Sequence, residues 1–431
     1  MRWGDASVVF SRSGLFGVVM DVRVDVARLT AELETLAGFS DTELPAVTRV
    51  VFSEKDRQAR AWLKGICEEA GLRTRTDAIG NFFARWVGID ASAPAVGTGS
   101  HTDAIPHSGK FDGTVGVLGG LEAIRALQRA GFRPRRSIEL LMFTSEEPTR
   151  FGIGCLGSRL LSGATPLERI AELRDKEGKS VDENRDAAGF SGELGSVKLP
   201  TGYYEAFVEL HIEQGPLLER EGIPVGIVTA IAAPAALRIT LEGEGGHAGA
   251  VLMPQRRDAL CAAAELALFV EAAAKNSGSA DSVATTGILR VHPGAINSVP
   301  SRCEMEIDVR DTKLEVRDAM VDAIGHGAKE IGAGRKVGVT VEMINADPPA
   351  TCDARIIDAA KGAAKEMGIV PKMMVSRAYH DSLFMARICP TAMLFIPCRN
   401  GVSHRPDEFA KADDIGRGVE LLARTMAALA S

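Results

Sequence analysis

Apolar Ala59, Trp62, Leu63, Ile66 and Ala70 recur at helical spacing behind Ser53-Glu54-Lys55-Asp56. The serine and the acidic first turn predict a helix start, and Gly71 is placed to end it. Short apolar runs at residues 95–98 and 137–144 predict strands, separated by a helix over residues 115–130 that stops at Gly131. Strand, helix, strand predicts parallel neighbours in an α/β sheet covered on both faces. In such a sheet the ligand-bearing loops lie just past the carboxyl ends of the strands.

After His211 the pattern changes. Residues 235–242 alternate and predict a strand, 258–274 an Ala-rich helix, 282–291 and 303–309 two more strands, 314–331 a second helix and 337–343 a last strand. This β-α-β-β-α-β order predicts a compact ferredoxin-like α+β insert. From Thr351 helix and strand alternate again, so the expected fold is a discontinuous α/β domain with a mixed sheet, residues 25–228 and 348–431, interrupted by an insert at 229–347. The polar tract 172–195 is expected to be a surface excursion, and residues 1–24 a poorly ordered lead-in.

At 431 residues the chain exceeds the size at which single cores stop growing, which agrees with two domains. Its net charge of −7 is spread over interspersed acidic and basic residues, which argues against a nucleic-acid partner. The apolar run at residues 14–20 is too short to span a bilayer, so no membrane partner is expected. Seven cysteines without a CxxC pair argue against a disulfide framework and for a reducing compartment such as the cytoplasm.

Candidate chemistry falls at the strand ends. His101 and Asp112 lie in GSHTDAIPHSGKFDG, Glu146 and Glu147 in MFTSEEPTRFG, His211 in FVELHIEQGP and His404 in GVSHRPDEF. A lone histidine is more often a core or surface residue than a ligand, and adjacent glutamates more often a solvated end of an element. Placed jointly beside Gly-rich turns, these residues suit a two-metal hydrolytic centre. Asp112, flanked by Gly109 and Gly113, is the expected bridge; His101 and His211 complete one ion, Glu147 and His404 the other. Asp103 is expected to accept the second ring proton of His101. Glu146 is the expected general base and acid. His107 is read as a loop residue without a ligand role.

The segments GSHTDAIPHSGKFDG, SEEPTRFGIGCLGSR, ELHIEQGPLLE, GGHAGAVLMP and GVSHRPDEF resemble the amidase, hydantoinase and carbamoylase branch of the M20 metallopeptidase-like family, from about residue 25 to the carboxyl terminus. The resemblance implies a dimanganese or similar centre (zinc, cobalt or nickel being the alternatives) on His101, Asp112, Glu147, His211 and His404, with Glu146 as acid/base. It implies that the insert is a lid and dimerisation domain of a homodimer, and that the Asp112–Gly113 peptide bond is cis. It also implies that Arg310 and Asn297 bind a substrate carboxylate and that His247, from the same or a partner subunit, stabilises the oxyanion. Gln214, Tyr379 and His380 would be further substrate contacts. Read without the resemblance, Arg310 is a surface ion pair, His247 a structural histidine and Tyr379 a core aromatic.

Within the branch, SRAYHDSLFMARICPTAMLFIPC and VTAIAAPAALRITLEGEGGHAGAVLMP look most like its ureide-degrading members. That implies hydrolysis of ureidoglycolate to glyoxylate, ammonia and carbon dioxide, with allantoate or an N-carbamoyl-L-amino acid as the alternative substrate. Arg377 and Tyr379 stand where relatives have a Gly-rich stretch, and their bulk is expected to narrow the pocket toward a small ureido acid. Plant relatives imply the endoplasmic reticulum as the alternative compartment. A rival of another class, a metal-binding protein of this fold without catalysis, predicts a missing ligand or base, and neither is missing.

Overall fold

Ser53 caps the helix Glu54–Glu69 as its sequence predicts, with Oγ accepting from the Asp56 amide at 3.2 Å. Asp56 itself turns inward, accepting from the Phe52 amide at 2.8 Å and from Arg60 Nε at 2.9 Å. The computed structural model describes residues 20–431, and the expectation for the amino-terminal lead-in lies outside the described residues up to residue 19.

Nine of the described strands form one mixed sheet. At its centre Ala95–His101 lies parallel to Ile138–Phe143 on one side and to Tyr204–Ile212 on the other, and Thr391–Ile396 is parallel to Tyr204–Ile212. Antiparallel neighbours, Phe82–Trp86 on one flank and Gly226–Ile231 on the other, make the sheet mixed. Because the four central strands run the same way, the loops that follow them converge on one edge. The strand expected at residues 95–98 continues to His101. Gly97, Gly99 and Ser100 interrupt the apolar pattern, but they are buried and Ile138–Phe143 pairs with them throughout.

Helix Thr114–Arg129 follows Asp112 and Gly113 and is buried along nearly its whole length. A Cβ on Gly116 would come within 2.4 Å of the Leu210 carbonyl, so only a glycine lets the helix sit this close to the sheet. That face of the core is completed by helix Ala412–Ala430, and the opposite face is covered by residues between Phe151 and Val197. The polar tract 172–195 therefore packs more than its composition predicts. Its helix Val181–Ala187 starts with a Ser180–Glu183 capping box. Asn184 is buried between Asp175 Oδ2 at 2.8 Å and Arg150 Nη1 at 2.8 Å. Buried polar groups persist here because each is paired. Arg150, in the loop after Glu147, thus ties the tract to that loop, and its Nε also donates to the Val51 carbonyl in the turn before helix Glu54–Glu69.

His107 lies in a short strand, Ala104–Ser108, and not in a free loop; its amide donates to Thr48 Oγ1 at 2.9 Å and its side chain is exposed. Beside it, the fully buried Arg49 donates Nε to the Thr102 carbonyl at 2.7 Å and Nη1 to those of Leu36 and Phe39. The chain next to His101 is thus held from below.

A second sheet begins at Ala233. Its strands Ala233–Glu242, Val283–His292, Arg302–Asp311 and Gly338–Ala346 are antiparallel, and helices Ala259–Lys275 and Leu314–Arg335 cover one face. The order is the β-α-β-β-α-β expected of a ferredoxin-like unit. Alternation along Ala233–Glu242 sends Leu237, Ile239 and Leu241 to the helices and Arg238 to the other face, where it pairs with Glu306 and Glu342. Among the described residues no helix is long and apolar enough to cross a membrane.

The chain returns to the large sheet through Asp347, whose carboxylate accepts from both terminal nitrogens of buried Arg159, at 3.1 and 2.5 Å, and from Arg387 at 3.3 Å. Removing the acid strands a buried guanidinium. Asp347→Ala is therefore expected to cost roughly 3–5 kcal/mol of stability, read as a lower urea midpoint with circular dichroism; a midpoint equal to wild type would refute the junction's importance.

Candidate active site

Four segments deliver the candidate residues to one sheet edge. His101 ends its strand, Glu146 and Glu147 follow Ile138–Phe143, His211 is the penultimate residue of Tyr204–Ile212, and His404 follows the turn Arg399–Gly401. Three non-glycine residues of these turns, Ser145, Gln214 and His404, have φ between 54° and 60°, a region that side chains rarely adopt. Backbone strain of this kind persists where the surroundings over-determine it.

His101, Asp112, Glu146, Glu147, His211 and His404 line one cavity of about 370 Å³. Asp112 is at its centre. Its Oδ1 lies 3.6 Å from His101 Nε2 and 3.2 Å from His211 Nε2, while its Oδ2 lies 3.2 Å from His404 Nε2. His404 Nε2 is also 3.2 Å from Glu147 Oε1. Two donor sets result, His101–Asp112–His211 and Asp112–Glu147–His404, each with ligand atoms within 4.8 Å of one another.

The tautomers explain what these sets are built to hold. His101 Nδ1 is 3.0 Å from the Asp103 carbonyl and His211 Nδ1 is 2.9 Å from the Ile212 carbonyl, so both rings spend a proton on the main chain. A neutral ring then turns a lone pair on Nε2 toward a carboxylate, which is repulsive unless a cation lies between. Without metal, protons take that role. Burial opposes charge on His101, but Glu146 and its neighbouring carboxylates hold its pKa well above the ordinary value. Hydrogen bonds to Asp112 and Glu147 push His404 up to about 11. Burial opposes charge on Asp112 too, yet the three histidines hold it well below the usual carboxylate range. Nitrogen and oxygen donors without thiolate fit hard or borderline divalent ions.

Glu146 has its Oε2 3.7 Å from His101 Nε2. Burial, followed by the nearby acids Glu147, Asp381 and Asp112, raises its pKa well above normal against the opposing pull of His101. Asp103 plays a different part from the expected one. Its carboxylate is 3.7 Å from His101 Nδ1 and instead accepts from the Glu146 and Glu147 amides at 3.2 and 3.0 Å, so it is Asp103's main-chain carbonyl that orients the ring. The Asp112–Gly113 bond is not cis: among the described residues the cis bonds are Leu44–Pro45 and His292–Pro293. Gly113 turns the chain by a φ of 66°, and a Cβ there would lie 2.4 Å from His101 Nε2.

Arg310, Gln214, Tyr379 and His380 line the same cavity. Gln214 Nε2 donates to Asp112 Oδ2 at 2.7 Å. Ser376 gives its hydroxyl proton to the Ala378 carbonyl at 2.7 Å, so the contact of 3.0 Å with His380 Nε2 fixes a proton on that nitrogen. Burial and the adjacent His211 hold His380 neutral, its pKa well below normal. Arg377 departs from expectation. Its side chain pairs with Asp281 at 2.6 Å outside the cavity, so Tyr379 alone of the two fills the wall. His247 and Asn297 do not reach this chain's cavity. They sit exposed at the ladder of Gly246–His247 with Ser298–Val299, joined by a bond from the Ala248 amide to the Asn297 carbonyl.

Sequence reasoning missed a layer of acids behind the site. Glu408 accepts from the Phe111 and Asp112 amides at 2.7 and 3.1 Å, and from Ser403 Oγ at 2.9 Å. Ser403 Oγ also lies 2.6 Å from Asp112 Oδ2. Glu209, fully buried, accepts from Ser100 Oγ, Ser382 Oγ and the Ser382 amide. Strand alternation carried a signal for Glu209, two residues before His211 on the same face. Glu408 carried none, because its bonds span nearly 300 residues of chain.

The chain matches the model of Peptidase family M20/M25/M40 over residues 97–428. It is 55% identical over 411 residues to a ureidoglycolate hydrolase of Oryza sativa subsp. japonica, covering 94% of this chain and 85% of the relative. It is 50% identical to a ureidoglycolate hydrolase of Arabidopsis thaliana, over 96% of this chain and 89% of the relative. Its fold superposes on the crystal structure of AtUAH in complex with glyoxylate with a TM-score of 0.87 at 51% identity, covering 95% of this chain and 98% of that one. With its cavity, its paired donor sets and these relatives, the chain belongs to the M20/M25/M40 peptidase family.

Proposed function

We propose that this chain hydrolyses the ureido amide of ureidoglycolate. One water is consumed; ammonia and carbon dioxide leave, and the remaining hydroxyglycine collapses to glyoxylate and a second ammonia. The observation that carries the reading is the sharing of Asp112 between two donor sets, in a cavity small enough for a ureido acid. The likeness to the two plant enzymes names the substrate.

His101, His211 and Asp112 would hold one divalent ion, and Glu147, His404 and Asp112 the other, with manganese the proposed metal. When bound, such a pair supplies the Lewis acidity that makes water nucleophilic at neutral pH and polarises the carbonyl. Glu146 takes the proton of the attacking water and returns it to the leaving nitrogen, a role that suits a carboxylate whose proton affinity is raised by burial. Arg310 receives the substrate carboxylate through paired N–H donors. Gln214, Tyr379 and neutral His380 bound the rest of the substrate. Since His247 and Asn297 are exposed and do not line their own cavity, a second copy of the chain brings them in, His247 to the developing oxyanion and Asn297 to the carboxylate. In this reading residues 229–347 are the lid and dimerisation domain, and 25–228 with 348–431 the catalytic one.

The substrate is tested by steady-state turnover of ureidoglycolate, allantoate and N-carbamoyl amino acids, before and after chelation and manganese return. Ureidoglycolate should be preferred and activity should follow the metal; full rates in demetallated protein would sink the proposal. Glu146→Gln should keep its metal by elemental analysis while kcat falls about 10²–10⁴-fold. Near-normal turnover in that variant would remove the base. Coexpressed His247→Ala and Glu146→Gln chains should regain about a quarter of wild-type activity, because half of a random dimer mixture carries one intact composite site; no recovery would place His247 in its own chain's site.

A further inference from the structure

Arg310 enters the cavity wall with most of its donors already committed. Nε and Nη2 donate to the two oxygens of Asp308 at 2.7 and 3.1 Å, and Nη1 donates to the Arg377 carbonyl at 3.2 Å. Of the five N–H groups of a guanidinium, two remain, one on each terminal nitrogen. Asp308 and Arg310 are two residues apart on strand Arg302–Asp311, so their side chains stand on the same face of the second sheet. The Arg377 carbonyl belongs to the segment that ends in the cavity residues Ala378, Tyr379 and His380. The Tyr379 ring lies 5.6 Å from the guanidinium carbon.

We infer that Asp308 is a positioning residue for carboxylate recognition: by closing the Nε–Nη2 edge of Arg310 it aims the remaining pair of N–H groups at the substrate carboxylate. The inference rests on the proposed reading of Arg310 as the carboxylate clamp. An arginine side chain has large rotamer freedom, and a fork held on one edge loses much of it before the ligand arrives. The Asp308 and Arg310 side chains are 38% and 24% exposed, and pairs as accessible as this add little to stability. What the pair contributes is direction. Asp308 also carries a negative charge close to where a second carboxylate must bind, so if it served only as a nearby acid its removal would tighten substrate binding. The positioning role requires the opposite.

The test compares Asp308→Ala and Asp308→Asn with wild type on ureidoglycolate and on its uncharged carboxamide, with Arg310→Lys run alongside and thermal melting as a check on folding. The expected result is a KM for ureidoglycolate raised about tenfold, the size of a lost charge-assisted hydrogen bond, and more by Asp308→Ala than by Asp308→Asn. In the same variants kcat should change less than KM, and the carboxamide KM should hold. An unchanged or lowered KM for ureidoglycolate, or equal losses on both substrates, overturns the positioning role. If Arg310→Lys leaves the ureidoglycolate KM unchanged, the clamp itself is wrong. If Arg310→Lys raises that KM alone while neither Asp308 variant does, the clamp stands and the assignment of Asp308 falls.

Discussion

One carboxylate facing three imidazoles is the constraint on which the rest of this structure turns. Asp112 presents one oxygen to His101 and His211 and the other to His404. Like-signed lone pairs at this separation repel, and a charge of opposite sign must offset them. Several neighbouring groups hold Asp112 in this position. Glu408 clamps the Phe111 and Asp112 amides, Gln214 and Ser403 reach Oδ2, and Gly113 leaves room for the His101 ring. A site so organised binds cations because its alternative is costly.

The sheet makes this affordable by spreading the burden over four strand ends. None of these strands holds more than one histidine of the centre, and His101 and His211 are each oriented by a main-chain carbonyl rather than by a flexible side chain. Arg49 steadies the segment after His101, Asp103 pins the two glutamate amides, and Arg150 carries the loop beyond them to the buried Asn184. Positive φ at Ser145, Gln214 and His404 marks strained backbone at the turns that carry the centre. Rigid elements thus fix the two donor sets, while Arg310 reaches the same cavity from the second sheet. Arg310 crosses from that sheet into the cavity, and Arg377 with Asp281 joins the two parts again nearby. A motion of one sheet against the other would move Arg310 relative to Asp112 without disturbing the donor sets.

Much of this was legible in the chain itself, and the reason is local. Helix starts at Ser53 and Asp258, the Ala-rich helix between the small-sheet strands and the β-α-β-β-α-β order follow from capping and periodicity within short windows. The six residues around the centre stand beside turn glycines or at the ends of apolar runs, so their class of chemistry was readable before their geometry was. Other features needed partners distant in sequence. The strand through Gly97 and Gly99 exists because neighbours pair with it, and the polar tract 172–195 is packed because Arg150 and Ala78 meet its buried polar groups. The side chain of Arg377 turns out of the cavity because Asp281, in the turn before strand Val283–His292, draws it there.

By itself the sequence determined which donors are available, which elements they end and how the second unit is wired, since propensity and alternation act over a few residues. Only the tertiary structure decided which atom of each donor faces Asp112, that Asp103 binds amides and not a ring, that Glu408 and Glu209 stand behind the centre, and that His247 and Asn297 lie outside their own cavity. Those outcomes depend on distances between segments up to 300 residues apart, and such distances are set by close packing of the whole chain and not by any local pattern.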